Sequence, residues 1–287
     1  MSTDQPRPVR ALLRRSVLAL SVLEDVDVDL DDDGVRLPGC VPLSWSDVAR
    51  AAGCGLPGDE ELRAPSAGAA PEQPEDVVRL RVADLLRAHA ELHRSRTGTV
   101  PLAVPVGAAR RPAHGWSASP LLGGALELGL GVVVRSGRSE RTLPVPVVSA
   151  RATGRPAHAG AAELARLEEV GQLVVQRLLR DAGGRGGGVL RPVAGCDVPT
   201  LLASAALREH LVAGPDRQPG GVLRAVAVPD RTRGWFDLAR IDPAYVGAAW
   251  TATDPADRGL HRPVLVTREE VALAPSSPRL VEAALRS

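Results

Sequence analysis

The stretch GGVLRPVA at residues 187–194 returns almost unchanged as GGVLRAVA at residues 220–227. Each copy opens on glycines and continues as a short apolar run with one Arg, the pattern of a strand buried on both faces. Between them, residues 197–212 read as an apolar helix with Asp197 as its cap and Pro199 in its first turn. Such a helix is about 24 Å long and a seven-residue strand about 23 Å. That match is the geometry of a βαβ crossover between parallel strands. A helix over residues 237–250, an apolar strand PVLVT at 263–267 and a final helix over 278–286 continue the alternation. Residues 141–287 are therefore expected to form an α/β domain of βαβ units, with a largely parallel sheet and flanking helices. Within it, LPVPVVSA (143–150) reads as an edge strand because of Pro144 and Pro146. A helix over 159–181 carries Leu164, Leu167, Val174 and Leu178 on one face, and the glycine run GGRGGG ends it.

Residues 1–98 read as a smaller α+β region. The opening segment is basic and then apolar, like a secretion signal, but its run at 17–23 is short and is followed at once by Glu24 and Asp25. It reads instead as an amphipathic helix with Val9, Leu13, Val17 and Leu20 on one face. DVDVDL alternates with period two, DDDG is a turn and VRL a return strand. Asp29, Asp31, Asp33 and Gly34 also match the start of a calcium loop, but the closing twelfth position is Cys40 and Pro38 interrupts it, so the hairpin is preferred. LSWSDVARAAG reads as a helix capped by Ser44 or Ser46, and residues 55–74 as a loop. A long helix over 75–94 has Val78, Val82, Leu85 and Leu92 as its stripe. His89 and His93 are spaced to share a metal there. HAELH is not the HExxH order, no third ligand is identifiable, and His89 falls on the apolar stripe, so no metal is expected. Residues 99–140, rich in Gly and Pro, read as a connecting segment.

Composition narrows the chemistry. The chain has 287 residues, 44% hydrophobic and 24% charged, enough to bury about 70–75% of its unfolded surface, and it has no run long enough to span a membrane. Aromatics make up only 2%, so the core must be built of Leu, Val and Ala. There is no Lys: all 35 basic residues are Arg, a bias pointing to a high-G+C bacterial genome. Phosphate loops, pyridoxal enzymes and protein kinases all need a Lys and are excluded in their normal form. The Tyr/Lys pair of short-chain dehydrogenases goes with them. A net charge of +1 gives no reason to expect nucleic acid or a membrane surface as partner. Three cysteines in no CxxC arrangement fit a reducing cytoplasm. No cofactor motif is present, and a homo-oligomer is compatible with everything above.

In open parallel sheets ligands bind beyond the carboxyl ends of the strands. GCDVPT, VPDRTRGW and TREE would lie there, bringing Cys196, Asp197, Thr200, Asp230, Arg231, Arg233, Trp235, Thr267, Arg268 and Glu269 to one edge. The ligand-binding candidates are Asp197, Thr200, Asp230, Arg231, Arg233, Trp235 and Arg268. Arg231 and Arg233 suit a phosphate or carboxylate, the helix start near Asp197 offers N–H groups, and Trp235 offers a stacking face. These residues point to a non-catalytic binding or regulatory protein that recognises an anionic small molecule or a protein partner. The alternative is a hydrolase or transferase acting on a phosphorylated or acyl substrate at the same edge, through Asp197 and Asp230 or through Cys196. An accessible Asp197 or Cys196 would favour the enzyme. A capping Asp197 and a buried Cys196 would favour binding.

Overall fold

Helix α1 (Arg7–Glu24) buries Leu13, Val17 and Leu20, the apolar face that its sequence sets up. In a computed structural model of the protein the described residues are 7–24, 26–54, 74–94, 98–106, 108–121, 124, 126–136, 139–181, 188–213, 223–236 and 241–274. They divide into two units. The first comprises residues 1–100, 109–118 and 129–158, and the second residues 101–108, 119–128 and 159–287.

In the first unit, β1 (Asp29–Leu30), β2 (Gly34–Arg36) and β3 (Leu43–Ser44) form a small antiparallel sheet in that order. Gly34 is required there, because a Cβ would stand 2.0 Å from the Leu43 carbonyl oxygen. Ser44 caps α2 (Trp45–Ala52) by accepting the Asp47 N–H, and Gly53 closes the helix in the left-handed region at φ 80°. Helix α3 (Pro74–Arg94) packs against α1 and α2 around Val35, Leu43, Val48, Val82 and Leu86.

Residues 99–140, read as a connection, carry strands. β4 (Val100–Pro105), β5 (Ala118–Leu121), β6 (Leu126–Ser136) and β7 (Ser139–Pro144) form a four-stranded sheet in which β4 and β5 flank β6 and β7 also pairs with β6. The stretch LPVPVVSA is not one strand. It ends β7 and then starts helix α4 (Val147–Ala152), because Pro146 has no ladder N–H to give and its φ of −67° suits a helix entry.

The second unit corrects the main expectation. Helix α5 (Ala161–Asp181) is followed by β8 (Val189–Leu190), α6 (Val198–Leu201), α7 (Ala205–Ala213), β9 (Arg224–Asp230), β10 (Arg233–Trp235), α8 (Pro243–Ala252), β11 (Val264–Val266) and β12 (Val271–Leu273). The sheet order is β12-β11-β9-β10-β8, and among the described residues the three sheets are antiparallel throughout, not largely parallel. The repeated octapeptides do run in the same direction, but β10 lies between them, pairing antiparallel with both. The cause is the turn after β9: Asp230 Oδ1 accepts the N–H and hydroxyl of Thr232 at 2.7 and 2.9 Å, and the chain reverses at once. The single helix expected over 197–212 is two, broken at residues 202–204. The side chain of Glu168, on α5, accepts the N–H groups of Ala205 and Ala206 and so restarts the helix. The final helix expected over 278–286 and all of the run GGRGGG but its last glycine, Gly188, lie outside the described residues.

Both faces of this sheet are covered. Val226, Val228, Val264 and Val266 face Leu167, Val170, Leu202 and Leu207 of the helical side, while Ala225, Ala227, Trp235 and Leu265 face Ile241 and Val246.

Candidate functional site

The antiparallel topology separates the residues expected to converge. Arg233 pairs with Asp230 at the carboxyl end of β9, whereas Val266 pairs with Arg224 at its amino end. Thr267, Arg268 and Glu269, which follow Val266, therefore lie at the opposite edge of the sheet from Asp230, Arg231 and Arg233. Trp235 is half-buried among Ala225, Ala227 and Ile241 and packs the sheet against α8.

Three of the candidates do meet. Asp197 caps α6: its Oδ1 accepts the Thr200 N–H at 3.0 Å and the Thr200 hydroxyl at 2.5 Å. Its Oδ2 accepts both Nε and Nη2 of Arg231, at 2.6 and 2.5 Å, with both side chains about nine-tenths buried. The Thr200 hydroxyl oxygen in turn accepts the Ala103 N–H at 2.8 Å. Backbone bonds add to the joint, since the Val198 N–H donates to the Arg231 carbonyl and the Arg231 N–H to the Asp257 carbonyl. The carboxylate thus holds α6, the β9–β10 turn and β4 together, with the Arg231 guanidinium and the helix N–H groups turned towards it rather than towards a ligand.

Cys196 is 1% exposed. Burial, and then the neighbouring Asp197 carboxylate, push its thiol up to about 11, far from the thiolate a nucleophile requires. Asp230 is committed to its own turn through Thr232. Arg233 and Arg268 are exposed, at opposite edges. Arg208, a buried cation that the sequence reading passed over, donates to the carbonyls of Leu202, Ala203 and Arg268 and so ties the α6–α7 break to the β11–β12 turn. Its only sequence signal is an Arg in an apolar helix.

In the first unit the calcium-loop residues form the hairpin. Asp31 Oδ1 accepts the N–H groups of Asp33 and Gly34, and Oδ2 pairs with Arg36 at 2.8 Å. Those backbone bonds, aided by Arg36, hold the Asp31 carboxyl below its usual range. A cavity of about 20 Å3, room for one water molecule, is lined by Arg81, Asp84, Arg110 and His114. Asp84 and Arg110, both nearly fully buried, pair there at 3.2 Å.

His89 and His93, one turn apart on α3, have a third neighbour that sequence spacing did not reveal. The loop after β2 brings Cys40 to them, and one ligand atom from each of the three residues lies within 4.8 Å of the others. His89 is buried: its Nδ1 meets the Ser149 hydroxyl at 2.7 Å and its Nε2 the Val41 carbonyl at 2.8 Å. A carbonyl only accepts, so Nε2 carries the proton and Nδ1 accepts from Ser149. His93 Nδ1 donates to the His89 carbonyl at 2.9 Å, leaving its Nε2 as an acceptor.

The largest exposed apolar side chains of the first unit lie at the end of α1. Leu18 is 51%, Val22 83% and Leu23 82% exposed, with Ala19 exposed between them. Residues 18 and 22 are one turn apart, so this is a continuous ridge opposite the buried face. Searches with this chain against protein-family models, curated proteins and solved structures return no match.

Proposed function

We propose that the protein is a non-catalytic binding or regulatory protein whose partner is another protein. The ridge of Leu18, Val22 and Leu23 carries this reading: fully burying one such side chain contributes about 1.5–3 kcal/mol, and a partner is what would bury them. The fate of the polar residues supports the non-catalytic part. A hydrolase or transferase at the sheet edge would need Asp197 or Cys196 accessible, but the first caps a helix and pairs with Arg231 while the second is buried. An anionic small molecule is the second reading, favoured by the exposed Arg233 guanidinium. A cytoplasmic location fits three cysteines in no disulfide pattern.

The test is a photo-crosslinking residue at position 22, introduced in the native host. The expected result is one dominant crosslinked species, another protein or a second copy of this chain, lost when Leu18→Glu is added while the circular dichroism is unchanged. Crosslinking that is absent, or unaffected by Leu18→Glu, would overturn the reading.

A further inference from the structure

We propose that Cys40, His89 and His93 form a binding site for a divalent cation of borderline softness, Zn2+ above all. The site lies in the first unit and is independent of the protein-partner reading. One sulfur and two imidazoles make a donor set that suits zinc and disfavours calcium and magnesium, which take oxygen. The spacing fits too, since two histidines four residues apart on a helix present their rings to one side.

The arrangement around the ligands is that of a held site. His93 donates its Nδ1 proton to a backbone carbonyl, the outer-shell bond that metal-ligating histidines use to fix their tautomer and aim the other nitrogen. Among the described residues that other nitrogen, Nε2, meets only the Val41 N–H at 3.4 Å, the longest nitrogen contact in the cluster. The two rings lie 4.4 Å apart between centroids, tilted by 54°. Ser149 is equally suited to serve as an outer partner. Its hydroxyl can donate to His89 Nδ1, as it does here, or accept from it once His89 presents Nε2 to a metal and the Val41 carbonyl is released.

Around tetrahedral zinc, with Zn–S about 2.3 Å and Zn–N about 2.0–2.1 Å, ligand atoms stand about 3.3–3.6 Å apart. The present separations, all within 4.8 Å, need a contraction of at most about 1.2 Å. Cys40 can supply it: it sits in a surface turn, where its N–H bonds the Leu37 carbonyl and its thiol donates to the Pro38 carbonyl at 3.6 Å. On binding, the Cys40 S–H proton passes to solvent, and the His89 ring proton moves from Nε2 to Nδ1 through solvent exchange. Cys40 and His93 are both partly exposed, so the cation has an entry path, and its fourth position is left to water or a partner's ligand.

The experiment uses the reduced full-length protein titrated with Co2+, then with competing Zn2+, alongside peptide-resolved alkylation of the cysteines. The expected result is one equivalent of Co2+ with a thiolate-to-cobalt charge-transfer band, displaced by Zn2+, and protection of Cys40 but not Cys54 from alkylation. Cys40→Ser should abolish the band, and His93→Gln should weaken binding by at least about 10-fold, with circular dichroism unchanged in both. His89→Gln disturbs a buried residue and is not needed. No stoichiometric binding, binding unaffected by Cys40→Ser and His93→Gln, or Cys40 alkylation indifferent to Zn2+ would each overturn the proposal.

Discussion

Asp197→Ala tests whether the sheet edge is architecture. The substitution removes two bonds that cap α6 and two charge-assisted bonds to Arg231, at distances of 2.5 to 3.0 Å. Removing one partner of a buried ion pair costs about 3–5 kcal/mol, because the remaining charge is left without compensation. Asp197 and Arg231 side chains keep about a tenth of their exposure, so the lower end applies, and the lost cap supplies about 1 kcal/mol of it. The expected loss is about 3 kcal/mol. Arg231→Met should cost a comparable amount, and the double variant less than the sum by about 2 kcal/mol, because no charge is then stranded. Urea unfolding followed by circular dichroism gives the three values, with constant slopes confirming that only stability has changed. A loss under about 1 kcal/mol for Asp197→Ala, or strictly additive losses, would refute the reasoning and return the pair to the role of a ligand site.

Three further perturbations probe other joints. Burial lowers the folded His89 pKa to about 4, so its unfolded imidazole binds a proton from about pH 6.5 downwards while the folded one resists until about pH 4. Stability from this group is complete above pH 6.5 and falls as the pH drops to 4, by up to about 3 kcal/mol. Burial also lowers His210 and His261, so the difference between wild type and His89→Gln across that window isolates the term. Gly171→Ala should lower stability by about 1–3 kcal/mol in the same urea assay, because its Cβ would stand 1.9 Å from Ser204 Oγ, which is held by Glu168. Arg258 donates to the carbonyls of Trp250, Thr251 and Thr253 at the end of α8 and lies 4.3 Å over the Trp250 ring. Arg258→Met should cost about 1–2 kcal/mol and change the Trp250 near-ultraviolet dichroism.

The helices were legible where apolar spacing is long and regular. Leu13, Val17 and Leu20 of α1 and Val78, Val82, Leu85 and Leu92 of α3 are buried as their periodicity demands, although Leu164 of α5 is exposed. Strand direction was not legible. The run from Ala225 to Val228 is apolar throughout because helices cover both faces of the sheet, and a sheet of parallel strands covered on both faces carries such a run. An antiparallel sheet between two helical layers writes the same run. The correcting signal was short: the sequence PDRTRG, where an Asp side chain closes a two-residue turn, places β10 between the repeats, while TREE goes to the far edge because β11 pairs antiparallel with β9. Cys40 was not legible as a neighbour of His89 and His93, because the loop that brings it there is fixed by a tertiary bond from His89 to Val41 rather than by local spacing.

The polar residues of the sheet edge hold the fold together, and the proposed function is the binding of a protein partner. A thermal-shift screen of the purified protein against nucleotides, sugar phosphates and acyl-CoAs, repeated on Arg233→Ala, tests it most directly. A ligand at 100 times its dissociation constant would add about 2.7 kcal/mol to the folded state. No shift from any of these compounds is expected in either protein. Stabilisation of the wild type by a phosphorylated compound, lost in Arg233→Ala, would contradict it and make the sheet edge an anion site.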